Sequence, residues 1–374
     1  MREPFVFGSM AAEPSSFDLQ FFRNGHLYQY GFKVNQKFVT EEWLIKLVGK
    51  KEEIIYERTT DDSGGVVIDA PGLQDNEKVQ YLAKIGGRGN QTFLATAKAI
   101  LNANDLSGHI GNVIQWFEKN LQLINSEMAV GPVGYLLAED LKFRQFAGEF
   151  LQASSTGIHT LEVEKKEISE QDLKKLMPHD FFMHVLKKLE ENPQKSFVIP
   201  FLNDNELIVE KTNSNHFYQI SIRASHHPAG ADVVLLELNE ESDGTRRLLE
   251  LLPALRMKKT GGAVYFIDEI DRSMHPLLIW KFVEYFLQSC QKQESQIIVT
   301  THESNLLDLA LLRRDEIWFA EKDATLSTHL YSLSDFKIRT DLDIKKHYFN
   351  GRFGAVPFLG KLDNLPPFSS HITP

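Results

Sequence analysis

Two short apolar runs in the second half of the chain, Ala263–Ile267 and Gln296–Thr300, constrain its fold more than any other feature. Each is strand-length and apolar on consecutive positions rather than alternate ones. Such runs suit strands buried on both faces, and in a soluble protein that means a parallel sheet covered by helices. The flanking pattern agrees. Thr245–Met257 is amphipathic at helical spacing, Pro276–Gln291 reads as a helix, Leu306–Arg313 as a short helix and Glu316–Ala320 as a third strand. Helix and strand in alternation predict right-handed β-α-β units, whose ligands sit at the carboxyl ends of the strands.

The first part of the chain obeys a different grammar. Phe17, Leu19 and Phe21 alternate with polar residues, Asn24-Gly25 is a hairpin signal, and Tyr28, Tyr30, Phe32 and Val34 continue the alternation. Phe38–Leu47 and Ile54–Tyr56 extend this into an antiparallel meander, followed by a polar loop at Thr59–Gly65. From Asn90 to Asn125 the spacing is helical, with Phe93, Leu94, Ala97, Ile100 and Leu101 on one face and Ile110, Val113, Ile114, Phe117 and Leu121 on another. A helix over Glu139–Ala153, a strand at Ile158–Val163, a helix over Ile168–Leu189 started by Ser169, and short strands over 196–238 follow, with turns at Asn203–Asn205 and His227–Gly230. These changes divide the chain into 1–89, the antiparallel part of a core; 90–239, an inserted helical and mixed lobe; and 240–374, an α/β part.

Bulk properties exclude several classes. No apolar run is long enough to cross a membrane as a helix, and the N-terminus does not read as a signal peptide. One cysteine, Cys290, excludes an internal disulfide and fits a reducing cytoplasm. A net charge of -10 argues against wholesale wrapping of nucleic acid, since the basic doublets sit beside acids.

Three elements carry chemistry. The run Ala263–Glu269 is an apolar strand ending in two carboxylates, a Walker B pattern. Asp268 there offers a hard oxygen to a magnesium ion, and Glu269 can polarise a water for attack on a γ-phosphate. Taken alone, the pair fits a solvated loop after a buried strand equally well. The second run ends in His302, which at the matching edge of the sheet would sense a γ-phosphate and steady the attacking water. Upstream, Glu241–Arg247 opens the amphipathic helix. Ser242 is a good N-cap, Gly244 permits close backbone approach, and such a helix start points free N–H groups at an anion.

In this order the three elements resemble the signature, Walker B and switch-histidine motifs of ABC ATPases, and more narrowly the ABC-like clade of prokaryotic AAA-family ATPases of abortive-infection and anti-phage loci. ESDGTRRLLELLPAL (241–255), VYFIDEIDRSMHPLL (264–278), IIVTTHESNLL (297–307) and RRDEIWFAEKD (313–323) carry the resemblance. YSLSDFKIR (331–339) and NGRFGAVPFL (350–359) extend it, and PFVFGSMAAEPSSFDLQFF (4–22) and TGIHTLEVEKKEIS (156–169) do so more weakly. The resemblance implies an α/β, ABC ATPase-like P-loop NTPase fold, a mixed sheet with flanking helices and an inserted lobe. It implies ATP and Mg2+ as ligands, with Asp268 assisting the metal, Glu269 as general base and His302 as switch. Ser242 and Gly244 would form a signature loop facing nucleotide on an opposite subunit, and Asp271 a D-loop acid crossing the dimer interface. A head-to-tail homodimer sandwiching two nucleotides, and a separately encoded effector nuclease, are the implied partners.

One part of the pattern is missing: no GxxxxGK[ST] occurs in the sequence. Gly86-Gly87-Arg88-Gly89 has neither lysine nor hydroxyl in place and reads as a turn before a helix at Thr92. The resemblance therefore implies that a strand–loop–helix unit of at least roughly thirty residues is absent, through a misassigned start, a disrupted gene or a second polypeptide. The expected corollary is an unpaired edge beside the Ala263–Ile267 strand and poor solubility. A DNA-repair ATPase and a catalytically dead interaction protein are the competing readings. The first is disfavoured because 90–215 has no sustained heptads.

Overall fold

The computed structural model describes residues 3–74, 76–102, 104–125, 131–191, 196–200, 206–212, 216–256, 262–290, 294–339 and 342–356. They form two compact units, one from 1–114 with 304–374 and one from 115–303. These units divide the chain at different points from the composition changes at 89/90 and 239/240.

In the first unit β1 (Ser15–Arg23), β2 (His26–Val34), β3 (Val39–Val48), β4 (Lys51–Thr60) and β5 (Val66–Asp69) pair in sequence order as an antiparallel meander. Asn24 (φ 48°) and Gly25 (φ 79°) are both left-handed, as a two-residue hairpin turn of matching twist requires, and they fix the register Arg23↔His26. The polar loop is shorter than its composition implies. The Asp61 carboxylate accepts from Ser63 and Gly65 N–H at 2.9 and 2.8 Å, folding a tight turn that lets Val66–Asp69 pair back on β4.

Two helices follow, α1 (Glu77–Ile85) and α2 (Phe93–Ile100). The glycine run is indeed a turn, and Thr92 caps α2 by accepting from Ala95 N–H. The carbonyl of Gly89 accepts from Val39 N–H, and those of Arg88 and Gly89 from the Arg58 guanidinium. Buried Glu42 accepts from the first N–H groups of α2, Phe93 at 2.6 Å and Leu94 at 3.2 Å, and from the hydroxyls of Tyr56 and Tyr30. The glycine run thus joins α2 to the meander.

The helix α3 (Gly108–Lys119) runs through the 114/115 boundary and leads into the second unit. There come β6 (Leu121–Ile124), α4 (Gly131–Glu139), α5 (Leu141–Ala153), β7 (Ile158–Ile168), α6 (Glu170–Lys175), α7 (His179–Glu191), β8 (Ser196–Pro200), β9 (Glu206–Lys211), β10 (Phe217–His226) and β11 (Val234–Glu237). The helix expected over 168–189 is two helices, because Pro178 lacks the N–H to continue α6. The packed core of this part is Leu173, Met177, Phe182, Val185, Leu189, Ile199, Leu207, Val209 and Phe217. The turn expected at Asn203–Asn205 lies outside the described residues.

The α/β part follows with α8 (Asp243–Leu251), β12 (Val264–Ile267), α9 (Pro276–Cys290) and β13 (Gln296–Val299). β12 pairs in parallel with β13 on one side and with β6 on the other. Three expectations are corrected here. Leu121 is not part of a helical face, because α3 stops before it. Asn120 then accepts from Val264 N–H at 2.9 Å through its carbonyl and donates to Gly262 O through its side chain, which aligns Leu121 opposite Val264. The edge of β12 expected to be open is therefore filled by β6. The strands are not buried on both faces as their apolar runs suggest: Phe266 and its register partners Leu123 and Ile298 are exposed on one face of the sheet.

A fourth correction concerns Glu316–Ala320. After a 3-10 turn at Ser304–Leu306, residues 307–313 form turns rather than a helix, with Leu311 and Leu312 N–H both bonding to Asp308 O. No crossover helix leads back to the parallel sheet. Instead β14 (Trp318–Lys322) forms an antiparallel hairpin with β15 (Thr328–Ser332), closed by the Asp323 carboxylate on Thr325 and Ser327 N–H. This hairpin and α10 (Ile344–Phe349) belong to the first unit, around buried Ile317, Phe319, Leu333, Ile344 and Phe353. No described helix is long and apolar enough to cross a membrane.

Candidate functional site

The site lies at the carboxyl ends of β12, β13 and β6, within one unit. Parallel strands end here together, so their last N–H and C=O groups must find partners in the following loops. Asp268 N–H bonds to Ile124 O at 2.9 Å, Thr300 N–H to Ile267 O at 3.0 Å and Ile270 N–H to Thr300 O at 3.1 Å. The three strand ends are laced together before any side chain is considered.

Asp268 and Glu269 follow β12 directly, and both are exposed. Glu269 is left-handed at φ 47°, a backbone state that costs a non-glycine residue about 1–3 kcal/mol and persists only where its surroundings enforce it. Thr300, the first residue after β13, does part of the enforcing. Its hydroxyl accepts from Glu269 N–H at 2.9 Å and donates to the Asp268 carboxylate. One hydroxyl thereby fixes the relative placement of the two acids.

The next turn repeats the arrangement. Asp271 is half-buried, and one of its oxygens accepts from the Thr301 hydroxyl at 2.7 Å and from His302 N–H at 3.3 Å. Asp271 thus holds the backbone of His302 within a single chain, and the His302 side chain is exposed. The segments that follow β12 and β13 are two halves of one loop pair.

The upstream element reaches the same place. Ser242 caps α8, accepting from Thr245 N–H at 3.2 Å, with its hydroxyl 2.9 Å from that of Thr245. Gly244 sits where a Cβ would come within 2.5 Å of the Ser273 carbonyl, so a glycine is needed for α8 to lie against the loop after β12. That close approach is to protein backbone. His275 accepts from Leu277 N–H, and Pro276 opens α9 as its first residue.

Three residues of the site were not singled out from the sequence. Thr300 and Thr301 lie inside the run that ends in His302, and their signal was a pair of hydroxyls at a strand end opposite carboxylates. Arg247 was legible as a charge on the apolar stripe of α8, between buried Thr245 and Leu248. Its guanidinium bonds to the carbonyls of Asn125, Asp268 and Glu269, and to the Glu250 carboxylate at 3.1 Å. Burial pushes the Glu250 carboxyl above its ordinary range, against the pull of Arg247.

Among the described residues no cluster of three or more His, Cys, Asp or Glu side chains could hold a metal unaided. Magnesium bound with a nucleotide takes one or two carboxylates and completes its shell with phosphate oxygens and water. Asp268, exposed and oriented by Thr300, is the residue that fits. The group would supply charge neutralisation on the phosphates.

Residues 4–308 match a protein family described as "AAA domain, putative AbiEii toxin, Type IV TA system". No curated protein matches the chain. Solved structures with some likeness include an SMC ATPase and two Smc heads. One, from work on ATP-driven dimerization and DNA-stimulated activation of SMC ATPases, is 18% identical, with 41% of this chain and 88% of that chain covered and a TM-score of 0.22. An Smc head bound to the C-terminal winged-helix domain of ScpA is 14% identical, with 82% and 74% covered and a TM-score of 0.31. An Smc head domain with an extended coiled coil, bound to the C-terminal domain of ScpA derived from Pyrococcus furiosus, is 12% identical, with 83% and 78% covered and a TM-score of 0.30. Scores this low carry no weight for function. The family match spans most of the 374 residues and includes the whole of the site, and on that ground the chain belongs to this AAA domain family of ATPases.

Proposed function

We propose that the chain supplies the hydrolytic side of an ABC-like ATP site, and that nucleotide-driven pairing of two copies works in anti-phage or abortive-infection defence beside a separately encoded effector nuclease. The observation that carries the reading is the Thr300 hydroxyl between Asp268 and Glu269, with Asp271 holding His302 two residues further along each strand end. Asp268 would hold magnesium, Glu269 would take the proton of the attacking water, and His302 would face the γ-phosphate. Ser242 and Gly244, at the start of α8, would present N–H groups to nucleotide on the opposing copy, and Asp271 would stand near the interface. The sequence has no GxxxxGK[ST] run, so the proposed contribution is acid, base and switch rather than the phosphate cradle.

The test is Mg2+-dependent ATP hydrolysis by the chain and by Glu269→Gln. A general base contributes about 100-fold or more, so the variant is expected to lose turnover by that factor while a nucleotide-bound dimer accumulates on a sizing column. Unchanged turnover removes Glu269 from the role of base. The missing lysine motif specifically favours a second reading, an interaction protein that does not hydrolyse ATP. That reading is upheld if the unaltered chain neither binds nor hydrolyses the nucleotide.

A further inference from the structure

The geometry points to Arg247 as the residue that positions the Asp268–Glu269 pair and couples it to the signature helix. Arg247 lies one turn into α8 and its side chain is only 4% exposed. One outer nitrogen, Nη2, donates to the carbonyls of Asp268 at 2.7 Å and Glu269 at 3.3 Å. The other, Nη1, donates to the Asn125 carbonyl just after β6, and to Glu250, both at 3.1 Å. The buried Nε has no partner among the described residues, so the guanidinium is held through its two outer nitrogens alone.

The Asn125 and Asp268 carbonyls lie where β6 and β12 end, and the Glu269 carbonyl next to them also accepts from Arg272 N–H at 3.1 Å. A planar guanidinium with a fixed fork can satisfy acceptors from two strand ends at once, which an ammonium on a flexible stem cannot. Glu269 is also the residue in the left-handed backbone state. A peptide held in that state needs its carbonyl fixed as well as its N–H. Thr300 holds the N–H, and Arg247 holds the carbonyl together with Arg272 N–H. Gly244, from the same helix, lies against Ser273 in the same loop. A movement of α8 is therefore passed to the carboxylates through Arg247 rather than through the sheet. Arg247 touches no reacting atom in this scheme and acts through the peptides of the two acids.

The inference rests on the ATPase reading for its catalytic consequence, but its structural core is tested without nucleotide. Amide hydrogen exchange is compared in the full chain, in Arg247→Met and in Arg247→Lys. Losing hydrogen bonds to a buried charged group is worth about tenfold or more in local opening. In Arg247→Met the bonded amides of Asp268, Glu269, Ile270 and Arg272 are expected to exchange faster by that factor, with those of β7–β10 unchanged. Arg247→Lys should fall between, since it keeps the charge and loses the fork. Unchanged exchange at 268–272 in Arg247→Met, or an equal rise throughout 115–303, overturns the proposal.

The second readout is ATP hydrolysis. A positioning role lowers kcat by about 10- to 100-fold with little change in KM, with partial rescue by Arg247→Lys. A rise in KM alone counts against the proposal. If the unaltered chain does not hydrolyse ATP, the ATPase reading falls, and the exchange experiment still decides whether Arg247 holds the loop.

Discussion

Glu269 and Gly244 illustrate opposite uses of backbone freedom around one loop. Glu269 takes a left-handed conformation although it has a side chain, and bonds from Thr300 and Arg247 hold it there. Gly244 has an ordinary φ, but a side chain there would meet the Ser273 carbonyl at 2.5 Å. A backbone oxygen cannot move aside as a flexible side chain can, so Gly244→Ala must push α8 off the loop. Overpacking of this kind costs roughly 1–3 kcal/mol, and denaturant unfolding of the variant is expected to show it. A loss under about 0.5 kcal/mol, the range of an ordinary surface substitution, would mean that α8 does not bear on the loop. Sequence reasoning gave Gly244 to an approaching anion. The glycine was legible as a close-approach residue, but its contact with Ser273 was not, because Ser273 lies 29 positions away along the chain.

At the scale of elements, β6 shows how little a short apolar segment says about its own state. Leu121-Gln122-Leu123-Ile124 continues the spacing of α3, and only its partner β12 makes it a strand. The same holds for β14, whose composition fits either a parallel sheet or a hairpin. The turn at Asp323–Ser327 decides for the hairpin. Capping is more local and was more legible. Ser169 and Ser242 were identified from sequence and both accept the expected N–H, whereas Asp140, the cap of α5, went unnoticed. The N–H of Phe143 and then the Arg256 guanidinium hold the Asp140 carboxyl below its ordinary range. A depressed carboxyl stabilises the fold above its unfolded value, and that contribution is lost as pH falls through the folded one. Asp140→Ala is expected to cost about 1 kcal/mol at neutral pH. The difference from the unaltered protein should shrink as pH is lowered below about 4. A pH-independent difference in urea unfolding would show that the charge is not involved.

For the whole molecule the governing fact is that each unit has a core of its own. Phe182 anchors a core in the second unit, with Val185, Leu189 and Val209, and Phe319 anchors a core in the first, with Ile317, Leu333 and Phe353. Removing a buried phenyl ring costs about 3–5 kcal/mol. Phe182→Ala should therefore raise amide exchange across β8–β10 and leave β14 and β15 as they were. Equal loss of protection in both would show that the two cores unfold as one. The candidate site lies wholly in the second unit, so Phe319→Ala is the control that should spare it.

The sequence by itself determined the local facts: the hairpin at Asn24-Gly25, the helix starts at Ser169 and Ser242, and the two strands with acids after one and a histidine after the other. Each is written within a few consecutive residues, where turn chemistry, capping and apolar runs act over short range. Its motif order also pointed to an AAA-family ATPase, which the family match bears out. Tertiary structure alone decided that Leu121–Ile124 pairs with β12, that Trp318–Lys322 leaves the parallel sheet, and that Thr300 and Arg247 hold the two carboxylates. These depend on which distant backbone group is left without a partner, and no residue carries that information in its own neighbourhood.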